Sequence, residues 1–588
     1  MKLASLDWII IVLFLAVTLA IALWSAKQSG KSAKEYFLSG NNMPWWMLGI
    51  SMVATTFSAD TPNLVADIVR QNGVAGNWVW WAFLLTGMLT VFVYSRLWRR
   101  AGIVTDLEFY ELRYSGGVAS FLRGFRAIYL GVFFNVVIMA TVMLAGIKIG
   151  GVMLGLQPLQ TVLLVSVVTV FYSAVGGLRG VILTDIFQFV LSMIGMIAAA
   201  IFILRMPEIG GLSSLMTHEN VSDKLDFIPD FNNLEFAIPV IIVPLAVQWW
   251  STWYPGAEPG GGGYIAQRML SAKDEKEAVK ATLLFTIAHY ALRPWPWILV
   301  ALASLVIFPD LDSIAAAFPS LDASIVRHDL AFPAMLSLLP SGLVGLLLAS
   351  LMAALMSTIS THLNWGSSYV VNDFYGRFMD AEAKETTKVL IGRVSTVVLM
   401  LLAAVLSFYL ENAKKAFDLM LQIGAGTGLL FILRWFWWRI NAYSEIVAMI
   451  VSFIIAFYFS IIYEGDLLDY QKMIIGVVIT SIAWIAATFL TRPTNDETLT
   501  AFYTKIQPKG GGWSSIKAKL SEEQVSTISS NEDPGLTDQI LMMLLGCLLV
   551  YAALFGIGWL LIGKMLFGLI ALAVSTGVGY LLYQKAFK

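Results

Sequence analysis

Ser51-Met52-Val53-Ala54-Thr55-Thr56-Phe57-Ser58-Ala59-Asp60-Thr61-Pro62 stands in the middle of an apolar run, 43–70, that reads as a membrane-spanning helix. Hydroxyls, a carboxylate and a proline at that depth are costly unless they line a cavity or meet other protein. About 200 residues later a second such run, 236–267, is broken by Tyr254-Pro255-Gly256-Ala257-Glu258-Pro259 and then by four glycines, Gly260 to Gly263. Each break falls in the first member of a set of five apolar runs, 43–205 and 236–440. An odd number of spans per set inverts the second set relative to the first, so the two broken helices meet near the membrane midplane. The predicted fold is an all-α polytopic membrane protein with a five-plus-five inverted-repeat core.

Composition agrees. The 588 residues are 58% hydrophobic, with a mean hydropathy of +0.76, more apolar surface than a soluble core of this size hides. About fifteen runs have the length that crosses a hydrocarbon layer: 7–26, 43–70, 78–100, 121–154, 160–174, 182–205, 236–267, 279–308, 333–376, 388–410, 415–440, 442–463, 470–491, 538–562 and 565–584. The organisation read from them is an extra helix and link (1–42), a first repeat (43–205), an external loop (206–235), a second repeat (236–440), two accessory helices (441–491), a polar linker (492–537) and a terminal hairpin (538–588). Lys27, Lys31, Lys34, Arg96, Arg99, Arg100, Arg113, Arg123, Arg126, Arg268, Lys273, Lys276 and Lys280 gather on one side, with Arg377, Lys384 and Lys388. The positive-inside rule makes that side cytoplasmic, with the N-terminus outside and the C-terminus inside. The single cysteine, Cys547, excludes an internal disulfide, and the net charge of -1 carries no nucleic-acid footprint.

Ala354-Leu355-Met356-Ser357-Thr358-Ile359-Ser360-Thr361 is the densest polar constellation within an apolar helix. Spacings of three and four put Ser357, Ser360 and Thr361 on one face, with Thr358 adjoining. Neutral hydroxyls of this kind either ligate a dehydrated monovalent cation or pack helix against helix. Asp185, near the start of a helix, either caps it and pairs with Arg179 or ligates a cation from across the hydroxyl helix. His289 and Arg293 share one face of 279–308. Arg293 either holds a carboxylate or hydroxyl of a solute or pairs with Glu258. Trp80, Trp81, Trp249, Trp250, Trp253 and Tyr254 suit either a sugar-stacking wall or an interfacial belt, and belt is the default for most. No Walker A run, histidine metal pair or nucleophile elbow occurs, so nothing reads as an enzyme or an ATP-driven pump.

Polar anchors recur in order along the chain: Glu35-Tyr36-Phe37-Leu38-Ser39-Gly40 before Pro44-Trp45-Trp46, then Thr105, Glu108-Phe109 and Arg113-Tyr114. Tyr172-Ser173-Ala174-Val175-Gly176-Gly177-Leu178-Arg179-Gly180 with Thr184-Asp185 follows, then Gln267-Arg268-Met269-Leu270-Ser271-Ala272-Lys273 and Asn372-Asp373-Phe374-Tyr375. Through these residues the chain resembles the sodium/solute symporter family, which includes sodium/proline, sodium/galactose and sodium/sialic acid transporters. The resemblance implies a LeuT-like fold, with one helix before the ten-helix core and several after it.

The resemblance also implies the sites. A main sodium ion would take carbonyls of Ala54, Phe57 and Ala354 and hydroxyls of Ser357 and Thr358. A second, present in some members, would take Asp185, Ser360 and Thr361. Around the solute, Thr61, Trp80 and Tyr290 stand where the galactose transporter has glutamine, glutamate and lysine, while Asn135, Gln248 and Gln422 keep amide character; Arg293 is the added candidate. Galactose itself is therefore not the expected cargo, and the break at 254–263 is longer than the family's usual one. The expectation is a sodium-driven symporter with one or two Na+ and no organic cofactor. It would work as a monomer in a bacterial inner membrane and import a sugar, sugar derivative or sugar acid by alternating access. The alternatives are an amino acid or organic anion as solute, a proton-coupled carrier working through Asp185, and, from another class, a ligand sensor built on a transporter fold.

Overall fold

The computed structural model describes residues 3–29, 31–251, 258–319, 326–410, 422–529 and 533–587, and every regular element among them is helical. Eleven of these helices are long and apolar enough to cross a membrane. Their outward faces carry large apolar side chains, such as Leu401, Val405, Ile482 and Leu566, each more than half exposed. A surface of that kind belongs in hydrocarbon.

In chain order the helices used below are α1 (Ser5–Ser29), α2 (Trp45–Thr55), α3 (Thr61–Asn72), α4 (Val74–Ala101), α5 (Gly117–Ile149), α6 (Pro158–Leu204) and α7 (Leu234–Ala246). They continue with α8 (Gly263–Ser271), α9 (Glu275–Ile307), α10 (Leu343–Met379), α11 (Glu385–Ser407) and α12 (Gly428–Phe436). The last are α13 (Ala442–Ile462), α14 (Asp469–Leu490), α15 (Asp496–Ile506), α16 (Leu536–Leu561) and α17 (Met565–Phe587).

Five of the fifteen expected runs take another form. Runs 160–174 and 182–205 continue into one another as α6, whose 47 residues would reach about 70 Å if straight, twice a bilayer core. It divides at Gly177, where φ 55 and ψ −164 lie in a region open essentially to glycine. Run 43–70 is two helices, α2 and α3, separated by residues 56–60, and Pro62 restarts the second. Run 236–267 is likewise α7 and α8. Of 415–440, residues 415–421 lie outside the described residues and the rest holds α12.

The predicted linker is folded. Leu499, Phe502, Tyr503 and Ile506 form the buried face of α15. Beyond it Trp513 is buried, donates to the Trp435 carbonyl at 2.9 Å and stacks under the Arg113 guanidinium, 4.8 Å from ring centre. Arg100 joins this region to the core through Glu275 (2.7 Å) and Asp533 (2.6 Å).

Candidate ion and solute site

The first break is held by α10. Where α2 ends, the Thr55 carbonyl accepts from the Thr358 hydroxyl at 2.9 Å, and the Thr55 hydroxyl meets that of Thr361 at 3.0 Å. Hydroxyls of α10 thus stand in for the amide bonds that the helix gives up, which is how broken backbone survives at membrane depth. Beside this crossing a crevice too narrow to admit a water molecule is lined by Ala54, Phe57, Ala354 and Ser357, together with Gln188 and Ser192 of α6. Four of the five residues expected around the main sodium ion are therefore brought together. The fifth, Thr358, adjoins them and also bonds the Ala354 carbonyl at 3.1 Å. Neutral hydroxyl and carbonyl oxygens of this kind suit a hard monovalent cation.

Asp185 is wholly buried. It accepts from Ser51 (2.5 Å) and Ser357 (2.6 Å), and Arg268 stands 3.7 Å from its carboxylate. The Arg179 pairing, one of the two readings of Asp185, is not made; that guanidinium lies over the Trp24 ring. Arg268 corrects the charge reading as well. Counted with the loop cations, it is instead 0% exposed, because α8 is a half-helix that re-enters the protein and carries it onto α10. There it donates to Thr361 at 2.8 Å, to Ser51 and to Gln267. Thr361 is thus bonded by a guanidinium, and Ser360 donates to the Ser357 carbonyl. Asp106, from the loop before α5, accepts from the first amide of α8, Gly263, at 2.8 Å and from the Tyr369 hydroxyl, which pins the half-helix in place. Burial, aided by the charge of Glu258, pushes the Asp106 carboxyl up to about 6.

The second break does not hold Arg293. Glu258 pairs with Arg126 and, at 4.0 Å, with Arg434, which also pairs with Glu445 at 3.3 Å and donates to the Tyr110 hydroxyl. The proposed Arg293–Glu258 pair is therefore not formed. Gly260 and Gly261 adopt φ 92 and 81, and a Cβ on Gly260 would press into the Tyr94 ring at 3.0 Å, so the backbone there passes too close for any side chain.

Arg293 is 2% exposed. It bonds Thr56 (3.2 Å) and His289 (3.3 Å), lies over the rings of Trp297 and Phe57 and interacts electrostatically with the Asp60 carboxylate, while its Nε makes no hydrogen bond. His289 bonds Thr56 at 2.9 Å, so an arginine, a histidine and a hydroxyl converge on the break after α2. Trp80 and Tyr290 stack beside them, ring centres 6.0 Å apart. Gln248 reaches the same wall through the Val79 carbonyl at 2.7 Å. Thr61 opens α3 at the far end of the break.

Two amides expected at the solute are engaged elsewhere. Asn135 donates to the His362 carbonyl at 2.7 Å and meets its ring at 2.6 Å, and Gln422 accepts from Ser460. Trp81 is buried, and Trp250 turns its indole N–H to the Ala246 carbonyl; the Trp249 carbonyl accepts from Thr86. Trp253 and Tyr254 lie outside the described residues. The reading from sequence did not assign Arg268, Thr56 or Gln188 to the sites. A glutamine three residues after Asp185 in an otherwise apolar helix was the one available signal for the last.

Two broken helices, one clasped by a hydroxyl-bearing helix and the other re-entering beside it, define a secondary transporter. The profile of the Sodium:solute symporter family matches residues 36–452, and the chain belongs to that family. It is 24% identical over 514 residues to a sodium/glucose cotransporter of Vibrio parahaemolyticus, covering 84% of this chain and 92% of that protein. It is 26% identical over 490 residues to sodium/myo-inositol cotransporter 2 of Oryctolagus cuniculus, covering 77% and 69%. The solved structure of a Na+-coupled sialic acid symporter, substrate-bound and outward-open, superposes with a TM-score of 0.67 at 23% identity, covering 84% of this chain and 99% of that one. The fold is thus LeuT-like, as expected. The chain is a multi-pass membrane transporter, not an enzyme, of a class that couples a small solute to sodium.

Proposed function

We propose that this protein imports a sugar or sugar acid together with sodium by alternating access. The observation that carries the ion half is the recess where Ala54, Phe57, Ala354 and Ser357 converge at the break after α2. Sodium there bridges α2 and α10, the elements whose separation opens one side of the carrier, so ion binding biases the state that receives solute.

The solute half rests on Arg293. Its engagement by Thr56 and His289 rather than by Glu258 sets a buried guanidinium beside Trp80 and Tyr290 with Asp60 as its nearby counter-charge, and the hydrogen-bonding capacity left on its Nε favours a sugar carrying a carboxylate over a neutral one. Thr61 and Gln248 complete the solute's surroundings, while Asn135 and Gln422 spend their amides on His362 and Ser460. One sodium is the coupling ion in this reading. A second, at Asp185, Ser360 and Thr361, binds where Arg268 has moved away. The protein works as a monomer in a bacterial inner membrane, with its basic face in the cytoplasm and loops 206–235 and 309–331 outside.

The test is thermal unfolding of the purified protein against sodium, with choline holding ionic strength constant. Sodium raises the melting temperature of the wild type, because an ion that binds only the folded state adds RT ln(1 + [Na+]/Kd). Ser357→Ala with Thr358→Ala abolishes the rise. Uptake into proteoliposomes then shows a sodium-gradient-dependent acid among paired sugars and sugar acids. Uptake indifferent to the sodium gradient refutes the coupling.

A further inference from the structure

α4 is irregular at Ala82 and Phe83, within the wall that carries Trp80. The Phe83 amide bonds the Trp80 carbonyl and the Leu85 amide that of Ala82, both at 3.1 Å and both three residues back instead of four. The carbonyls of Val79 and Trp81, which a regular helix would give to those two amides, are thereby open to side-chain donors. Gln248 donates to the first at 2.7 Å, and the Tyr551 hydroxyl to the second at 3.0 Å. Tyr551 stands on α16, which begins at Leu536, well beyond residue 452 where the family match ends.

α16 is seated closely enough to hold that hydroxyl in place. A Cβ on Gly546 would press into Met88 and Phe92 of α4, and one on Gly558 into the Trp295 ring of α9, whose indole N–H donates to the Leu554 carbonyl at 3.2 Å. Between these contacts the Tyr551 ring lies 5.2 Å from that of Trp78, and Phe555 packs on Trp78 and Trp81. Trp80 sits between the two carbonyls so held, with its N–H spent on Asn77 at 2.9 Å and its ring stacked on Tyr290. What it offers a solute is an aromatic surface and no hydrogen bond.

We propose that Tyr551 is a positioning residue of the solute site: its hydroxyl fixes the irregular turn of α4 and so sets how Trp80 meets Tyr290 and the solute. This rests on that aromatic pair lining the solute. A helix outside the matched span then tunes solute affinity without touching the ion crevice.

The experiment is sodium-driven uptake into proteoliposomes holding the full chain, with glucuronate and glucose as probes, for the wild type, Tyr551→Phe, Trp80→Ala and the double variant. Tyr551→Phe keeps the ring against Trp78 and removes one hydrogen bond, so the KM of the transported probe rises about two- to tenfold. Vmax and half-saturating sodium stay as in the wild type. Once Trp80 is gone the hydroxyl has nothing to position, so Tyr551→Phe adds nothing to Trp80→Ala. A lower Vmax or thermal midpoint at unchanged KM shows a packing role and overturns the proposal, as do additive effects of the two substitutions. A wild type that carries neither probe overturns the sugar reading, and the hold on α4 is then decided by hydrogen exchange at amides 82–86, followed by mass spectrometry. Exchange there is faster in Tyr551→Phe; equal exchange overturns the positioning role as well.

Discussion

Arg268→Gln separates the two roles that a cation can play beside Asp185. The guanidinium stands 3.7 Å from a carboxylate with no solvent exposure. Across that distance a unit charge pair is worth about 4.5 kcal/mol at an effective dielectric of about 20, within the roughly 3–5 kcal/mol that removing one partner of a buried pair costs. After substitution Asp185 keeps only the hydroxyls of Ser51 and Ser357. In potassium or choline the variant therefore melts well below the wild type. Sodium can enter beside Asp185, Ser360 and Thr361 once the guanidinium is gone, and at about 100 times its dissociation constant returns roughly 2.7 kcal/mol. The assay is thermal unfolding in detergent in sodium and in potassium at equal ionic strength. The variant should show a larger sodium-dependent rise than the wild type, and Asp185→Asn in the same chain should recover stability while removing that extra rise. Equal losses in both salts, with no rescue by Asp185→Asn, would refute the reasoning.

Further outcomes follow from other contacts. Gly177→Ala forces a Cβ into φ 55, ψ −164 and should lower stability by about 1–3 kcal/mol, read as an earlier thermal midpoint. Glu258→Gln removes one carboxylate from a buried set of two acids and two arginines, and should destabilise by about 3–5 kcal/mol with sodium half-saturation little changed. At the basic face, burial opposes the charge of Glu111, but Arg377, Ser120 and Arg123 prevail and hold its carboxyl down at about 2. A folded value below the unfolded one adds stability that is full above the ordinary carboxylate range and fades as pH falls towards 2. Thermal stability should therefore drop over that acid interval, and less steeply in Glu111→Gln.

Much of the ion site was legible because its signals are local. Polar residues and a proline inside an apolar run are expensive wherever the helix ends up, so Ser51 to Pro62 announced a break. Hydroxyls three and four apart must share a face, so Ser357, Ser360 and Thr361 announced a polar stripe on α10. The packed face of α15 was equally local, in Leu499, Phe502, Tyr503 and Ile506, although the polar composition around it read as a linker.

Charge partners were not legible. Glu258 and Arg293 lie on neighbouring segments, yet Glu258 is claimed by Arg126 and Arg434, 132 residues before it and 176 after it in the numbering. Arg268 resembles any cation flanking a span until α8 is seen to turn back into the protein. Asn135 has the chemistry of a solute ligand but spends its amide on His362.

The sequence by itself determined that this chain lives in a bilayer, that two of its helices break and that one helix carries the hydroxyls, because each follows from the cost of polarity in hydrocarbon along a short stretch of chain. Which charge neutralises which, and that Tyr551 reaches the wall of α4, only the tertiary structure decided. Coulombic and hydrogen-bonding partners are chosen by distance in space, and the helices that bring them together are far apart in the chain.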